Sequence, residues 1–399
     1  NPMINAGAIA VAGRLVEASQ GSARRWWLGG AVAANLGTLG FFKYYNFFVE
    51  QFDALMGSLG VGHAMPLLDI VLPVAISFFT FHGISYVVDV HRGKVPACRS
   101  LADLMLYISF FPQLVAGPIV RASFFLPQLA RPVDPAAVPV GRALLLIVVG
   151  LFKKVVVANA IATQLVDPVF MAPDGHGTVE MLFAAWGYAV QIYCDFSAYT
   201  DIATGIALLL GYQFPKNFNQ PYRACSIQDF WHRWHISLST WLREYLYIPL
   251  GGNRHGRLKT YRNLLITMLL GGIWHGAGWT FLIWGALHGA ALTVERAAGE
   301  ALRRPLRLPA PLAVVLVFHF VCLTWIFFRA PDLAIALEAL GAFADWGAPI
   351  QHLTPALAGL VVAALATQAL PPDLMDRLGD RLDRLPALLL GIVAGGLIV

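Results

Sequence analysis

The stretch LLGGIWHGAGWTFLIWGALHG, residues 269–289, is apolar apart from two histidines, His275 and His288. It lies within residues 264–294, which carry no Asp, Glu, Lys or Arg over 31 residues. One membrane crossing takes about 20 residues, and a hairpin with two full crossings takes about twice that length. The charge-free segment is therefore too long for one untilted crossing and too short for a hairpin of two crossings.

Glycines crowd the same segment on both sides of His275. Gly271, Gly272, Gly276 and Gly278 weaken a helix locally, because glycine loses more conformational freedom on folding than other residues. The segment is flanked by a basic residue at each end, which favours both ends on one side of the membrane. We therefore expect a broken or re-entrant element that holds His275 at depth, with one long tilted helix as the alternative.

Composition sets the fold class. The chain is 58% hydrophobic and 13% charged, whereas ordinary soluble domains carry about 25% charged residues. Apolar runs recur along its length, so we predict an all-α polytopic integral membrane protein with about eight to ten embedded helices, besides interfacial and re-entrant ones. The expected embedded segments are 26–48, 66–90, 101–120, 141–166, 179–212, 229–250, 264–294, 311–329, 354–370 and 386–399.

The domain organisation is simple. Residues 1–24 are predicted to be an irregular, fragmentary start, and residues 25–399 a single membrane-embedded domain without a soluble domain. The net charge of +5 comes from short basic loops such as residues 254–262. Such loops indicate the cytoplasmic side of a membrane protein, so we expect a lipid bilayer and no nucleic acid as partner.

Residues 226–250 do not resemble a plain spanning helix. They combine three tryptophans with His232, Arg233, His235, Arg243 and Glu244. Aromatic and basic side chains together are typical of the membrane interface, where rings lie at headgroup level and charged tips reach water. A simple surface anchor is the alternative.

An imidazole in an apolar segment is a functional hypothesis by default, and a neutral one can act as a general base. His275 is the strongest candidate, whereas a satisfied hydrogen bond between helices is the alternative and fits His319 better. For the embedded acids Asp195 and Asp201 we favour structural roles. No metal is expected, because HRWH offers only one pair of histidines and the four cysteines are far apart.

Two long phrases point to a known family. DFWHRWHISLSTWLREYLYIPLGGN (229–253) and TMLLGGIWHGAGWTFLIWGALHG (267–289) resemble the membrane-bound O-acyltransferase (MBOAT) family, in particular its bacterial branch of alginate O-acetyltransferases. ISFFTFHGISYVVDVHRG (76–93) and YCDFSAYTDIATGIALLLGY (193–212) support the resemblance, which is collinear from about residue 25 to residue 330.

The resemblance implies transfer of an acetyl group from acetyl-CoA, as a co-substrate and not a bound cofactor, to hydroxyls of an exported polysaccharide such as alginate. It places the protein in the bacterial inner membrane as a multi-pass enzyme. The family's catalytic histidine falls on His275, and a second polar position falls on His235. The expected substrate contacts, with the arginines as candidates for the donor's phosphates, are Trp274, Trp279, Arg233, Arg243 and Arg254, and Lys259 is a further cation.

Alternatives remain at this stage. The acceptor can be another envelope polymer, namely peptidoglycan, cellulose or teichoic acid. The family usually works with periplasmic partner proteins that complete acetylation. A membrane transporter is the alternative from another class, because embedded Asp and His residues with broken helices also occur in transporters.

Overall fold

The computed structural model of the chain describes residues 2–62, 65–303 and 308–386, and its regular secondary structure in these ranges is helical throughout. The all-α prediction is confirmed. The helices, in chain order, are α1 Pro2–Ala18, α2 Gly21–Ser58, α3 Ile76–His91, α4 Leu101–Ser109, α5 Ala122–Leu129, α6 Val140–Met171, α7 Thr178–Leu209, α8 Ile227–Arg233, α9 Ile236–Leu242, α10 Arg257–His275, α11 Trp279–Ala301, α12 Ala310–Arg329, α13 Leu333–Gly341, α14 Pro355–Ala366 and α15 Leu374–Leu382.

Contacts group the chain into two compact units. The first unit consists of residues 1–115, 119–132 and 274–278, and the second of residues 116–118, 133–273 and 279–399. In the first unit α1 packs against α2, α3 and α4. In the second unit α6 packs along α7, and α7 contacts α12 and α14. The single membrane-embedded domain expected over residues 25–399 stays a prediction.

The first helix lies within the segment that we predicted to be an irregular, fragmentary start. Residues 2–18 form a regular helix, and the expectation of a fragmentary start over residues 1–24 stays a prediction. Ala6, Ile9, Ala10 and Val16 are buried, and their spacing places them on one face of a helix. The helix is therefore explained by an apolar face that packs on its neighbours in the first unit.

The charge-free segment forms two helices with a break between them. α10 ends at His275 and α11 begins at Trp279, so the break falls on Gly276–Gly278, at the glycines that the sequence singled out. The expectation of a broken element is confirmed. The alternative of one long helix is wrong.

α10 and α11 return side by side as a hairpin. A Cβ placed on Gly272 would lie 2.3 Å from the Phe281 carbonyl oxygen, and one on Gly285 would lie 2.4 Å from the Met268 carbonyl oxygen. At the far end of the pair, Arg257 Nε lies 3.2 Å from Glu300 Oε2 and the Tyr261 hydroxyl donates to the same oxygen at 2.8 Å. The outer ends of the two helices therefore lie together, as the flanking charges indicated.

The segment 226–250 is also broken. It forms α8, α9 and a π-helical turn, Arg243–Tyr247, with His235 between the two helices. The three tryptophans, Trp231, Trp234 and Trp241, are buried in the second unit. The rings therefore pack inside the protein, and the location of this segment at the membrane interface stays a prediction.

Two of the described helices, α6 and α12, are long and apolar enough to cross a membrane. A third span results if Pro355–Ala369 and Leu374–Leu382, which are bent by 83°, count as one. Other long helices carry charges within them, as α7 does with Glu180, Asp195 and Asp201. The count of eight to ten embedded helices stays a prediction, and the predicted segment 386–399 lies almost entirely outside the described residues.

Substitution of Gly272 by Ala is expected to lower the free energy of unfolding by about 1–3 kcal/mol, because the new methyl group overlaps the α11 backbone. Gly359→Ala on α14 is the matched control, since a Cβ there meets nothing within 4 Å. Unfolding of both purified variants in detergent measures the effect. Equal stability of the two variants would contradict the close helix contact.

Candidate functional site

Trp274 and His275, the last two residues of α10, lie in the first unit. The Trp274 ring stacks on the Phe81 ring, with centroids 5.0 Å apart and an interplanar angle of 13°. It meets the Phe78 ring edge-on at 6.2 Å. Phe78 and Phe81 are buried on α3, so aromatic packing holds the end of α10 in place.

Lys43 of α2 supplies a cation to the same helix end. Its ammonium donates to the Trp274 carbonyl oxygen and lies 3.4 Å from the His275 carbonyl oxygen. It also lies 5.7 Å from the centroid of the Trp274 ring. The last carbonyls of a helix lack partners within the helix and carry partial negative charge, which a lysine satisfies.

The imidazole of His275 is therefore placed by its neighbours. The side chain is partly buried, and its ring meets the Trp274 ring edge-on at 4.9 Å. Since Lys43 and Phe81 fix the backbone and the preceding ring, the imidazole is presented at the end of a held helix. Sequence reasoning found His275 and Trp274 but assigned no role to Lys43, whose signal is a lysine within the aromatic phrase FFKYYNFF.

His235 lies in the second unit and is 1% exposed. Its backbone is left-handed, with φ of 44°, at the residue before α9. This conformation is uncommon for residues other than glycine, and it costs free energy that the surrounding contacts must offset. The imidazole meets the Phe196 ring edge-on at 4.6 Å.

Asn217 holds His235 and the start of α9. Its side-chain oxygen lies 3.2 Å from His235 Nδ1 and accepts from the Ser237 amide at 3.1 Å and the Ser237 hydroxyl at 2.8 Å. Its backbone carbonyl accepts from the Ile236 amide at 2.9 Å. Since the amide oxygen only accepts, Nδ1 carries the proton, and in a neutral ring Nε2 is then the proton acceptor.

A cavity of about 630 Å³ in the second unit begins at Asn217. It lies between α6, α7, the loop 213–220 and residues 364–376, and we call it the α6–α7 cavity. On its wall Lys153 Nζ lies 2.5 Å from Asp201 Oδ2 and 2.8 Å from Ser197 Oγ. The neighbouring Lys154 pairs instead with Asp195, at 2.6 Å.

The two lysines lie in a π-helical segment of α6, Phe152–Ala158. Such segments occur frequently at functional sites. The ion pairs give Asp195 and Asp201 structural partners. Asp201 also lines the α6–α7 cavity, together with Asn217. Sequence reasoning did not single out Lys153, whose signal is a charge within the apolar segment 141–166.

The other predicted substrate contacts lie outside this cavity. Arg233 is paired with Asp229 at 2.7 Å and donates to the Asn219 carbonyl oxygen at 3.3 Å. Trp279 is 52% exposed at the start of α11. Arg243, Arg254 and Lys259 are exposed and do not line the α6–α7 cavity.

His288 and His319, the two other histidines of the apolar segments that the sequence singled out, have hydrogen-bond partners within the protein. His288 is fully buried, and its Nε2 lies 3.0 Å from Thr324 Oγ1, which links α11 to α12. His319 Nδ1 lies 2.8 Å from the Val315 carbonyl oxygen of its own helix. Within the described residues, no three His, Cys, Asp or Glu side chains are placed to hold a metal ion.

The region that matches known proteins includes the segments that carry His235 and His275. Residues 95–330 match the model of the membrane-bound O-acyltransferase family. The chain is 45% identical over 332 residues to the probable alginate O-acetylase AlgI of Azotobacter vinelandii, covering 82% of this chain and 64% of the relative. It is 44% identical over 352 residues to the protein of the same name in Pseudomonas aeruginosa, covering 86% and 65%.

A third relative carries a different name. The chain is 40% identical over 374 residues to the peptidoglycan O-acetyltransferase of Helicobacter pylori, covering 86% of this chain and 69% of the relative. The chain spans less than two thirds of the length of the Azotobacter and Pseudomonas relatives, namely 64% and 65%.

Asn217→Ala is expected to lower the free energy of unfolding by about 1–3 kcal/mol, because it leaves buried donors of His235 and Ser237 without their acceptor. Asn253→Ala, at an exposed loop position, is the matched control and should leave stability unchanged. Chemical unfolding in detergent measures both. An Asn217 variant as stable as the control would show that the network contributes nothing.

Lys43→Met is expected to speed amide hydrogen exchange at residues 274–278, because the end of α10 loses the cation that its carbonyls contact. Lys94→Met, which removes a lysine paired with Asp89 at 3.7 Å elsewhere in the first unit, should leave exchange there unchanged. Hydrogen exchange followed by mass spectrometry distinguishes the two. Unchanged protection in the Lys43 variant would refute the supporting role.

Proposed function

Because the chain belongs to the membrane-bound O-acyltransferase family, we propose that it transfers an acetyl group from acetyl-CoA to hydroxyls of an exported cell-envelope polysaccharide. Relatives named for alginate O-acetylation and peptidoglycan O-acetyltransfer, each at least 40% identical over most of this chain, support this class of acceptor. The proposed location is the bacterial inner membrane, in several passes.

The presentation of His275 carries the proposal. α10 ends at a histidine, its last carbonyls are contacted by Lys43 and its preceding ring stacks on Phe81, so the backbone that carries the imidazole is held in position. Placement of a base against a reacting group is the main requirement for general-base catalysis. Gly276 and Gly278, which follow His275, have no side chains that could block a substrate.

In the proposed step, His275 removes the proton of the acceptor hydroxyl as the hydroxyl oxygen attacks the thioester carbonyl carbon. The new C–O bond forms, the C–S bond of acetyl-CoA breaks, and the departing thiolate takes the proton from the His275 imidazolium, which becomes a neutral imidazole again. The products are an acetyl ester and coenzyme A. The charges balance without a metal or a redox partner.

His235 is the second proposed site residue. Its Nδ1 donates a hydrogen bond to the Asn217 side-chain oxygen, and this buried network orients the lone pair of Nε2. We assign it to orientation of a reacting group, in keeping with the second polar position of the family. Acceptor polysaccharide and periplasmic proteins that complete acetylation are the proposed partners.

His275→Ala is expected to reduce acetyl transfer about 10²- to 10⁴-fold, the usual contribution of a positioned general base. His319→Ala is the matched control, because His319 is exposed on α12, where its Nδ1 contacts the Val315 carbonyl oxygen of the same helix and its ring meets the Trp186 ring of α7 edge-on. The assay follows radiolabelled acetyl from acetyl-CoA to a panel of purified polysaccharides, including alginate and peptidoglycan.

The variants should remain expressed and membrane-inserted, which size-exclusion chromatography in detergent verifies. Near-normal transfer by His275→Ala would disprove the general-base assignment. Wild-type protein that transfers acetyl to none of the polymers would overturn the proposed reaction.

A further inference from the structure

The α6–α7 cavity has the size and lining of a ligand site. Its volume of about 630 Å³ falls in the range of about 300–1,000 Å³ that small-molecule sites occupy. Polar groups line one wall, and apolar side chains of α6 such as Leu146 and Val149 line another. Charged and polar residues inside a membrane protein are costly, which makes such a wall a functional feature by default.

The opening of the cavity carries two cations. Arg142 is partly exposed and reaches Asp380 at 2.9 Å and Asp376 at 3.6 Å. Lys216 is exposed, and its ammonium lies 3.4 Å from the Pro372 carbonyl oxygen. Among the described residues Lys216 pairs with no carboxylate, so its charge is available to an anion at this end.

The inner wall is neutral and rich in hydrogen-bonding groups. Lys153 is paired with Asp201, so the two charges compensate each other. Ser197, Thr200 and Asn217 are less than a tenth exposed. The inner end therefore offers hydroxyls and an amide rather than net charge.

Three polar atoms of the lining, Arg142 Nε, Asn219 Oδ1 and Gln368 Oε1, lack a hydrogen-bond partner within the described part of the chain. Gln368 is 5% exposed. Buried side-chain acceptors without partners are rare in folded proteins and indicate an absent water or ligand. Gln368 lines the cavity, so its unpartnered acceptor independently indicates that a polar ligand binds in this space.

The cations of the lining differ in how their charges are compensated. Lys153 is paired with Asp201, and Arg142 with Asp376 and Asp380, so Lys216 is the lining cation that has no carboxylate partner among the described residues. Arginine and lysine together are typical of phosphate recognition. Amides and hydroxyls further in suit an uncharged polar arm.

We propose that the α6–α7 cavity binds a phosphorylated small molecule, with its phosphate at Arg142 and Lys216 and its polar arm along the wall toward Asn217. Two sources share this chemistry, namely a coenzyme A-type acyl carrier and an anionic phospholipid headgroup. The inference extends the proposed function. It rests on that function only in the choice of coenzyme A as the first probe.

The site differs from the one that the sequence indicated. The sequence-based candidates for phosphate binding were Arg233, Arg243, Arg254 and Lys259, and none of the four lines the cavity. Lys216 and Lys259 are both exposed lysines of the second unit. They therefore form a matched pair that distinguishes the cavity from the basic loop.

The test is titration calorimetry of the full chain in neutral detergent, with free coenzyme A as one probe and dihexanoyl-phosphatidylglycerol as the other. Free coenzyme A carries no acyl group, so binding is measured without turnover. Lys216→Glu is expected to weaken binding at least about tenfold through charge reversal. Lys259→Glu should bind like the wild type.

Lys216→Gln is the milder variant, with an intermediate loss expected, and it keeps the test valid if charge reversal disturbs folding. Wild-type affinity in both Lys216 variants, or loss only in Lys259→Glu, would overturn the proposed site.

Binding of the phospholipid alone, with the same dependence on Lys216, would support the site and assign it to a lipid headgroup. Binding of neither probe would refute the site. Acetyl transfer by the same wild-type preparation would then leave the proposed function standing, so the two failures are distinguishable.

Discussion

The close approach of α10 and α11 is the constraint on which the candidate site depends. At Gly272 and Gly285 the backbones of the two helices are so close that a side chain would not fit. Because both positions are glycine, α10 and α11 can pack side by side as a hairpin within a segment without formal charge. The return requires a break, and the glycines after His275 provide it. The histidine consequently ends a helix, where neighbouring groups can hold it.

Charged side chains inside the apolar helices follow one rule. Lys43 meets carbonyls at the end of α10, Lys153 meets Asp201 and Ser197, and Lys154 meets Asp195. An isolated charge in a membrane protein is costly, and each of these cations has a partner that offsets part of the cost. The pairs also place the cations: Lys43 at the helix end with His275, and Lys153 on the wall of the α6–α7 cavity.

The neighbourhood of His235 shows how a backbone conformation and a hydrogen-bond network support each other. The left-handed backbone at His235 lets α9 start immediately after α8, and Asn217 accepts hydrogen bonds from the residues on both sides of Ile236. The network is buried, so each donor depends on that one amide. Since Asn217 also borders the α6–α7 cavity, a ligand there would lie against the residue that orients His235.

The sequence by itself determined the membrane class, the helical architecture, the break within residues 264–294 and the candidacy of His275. These features depend on local apolarity, glycine content and the positions of charges, which can be read along the chain. Only the tertiary structure decided which cations meet which groups. Lys43 and Trp274 are 231 positions apart, and Asn217 and His235 are 18 apart. The sequence named Arg233, Arg243 and Arg254 as candidate contacts for the donor's phosphates, and these stay predictions. Packing lined the α6–α7 cavity with Arg142, Lys153 and Lys216, because contacts between distant segments depend on which helix faces meet.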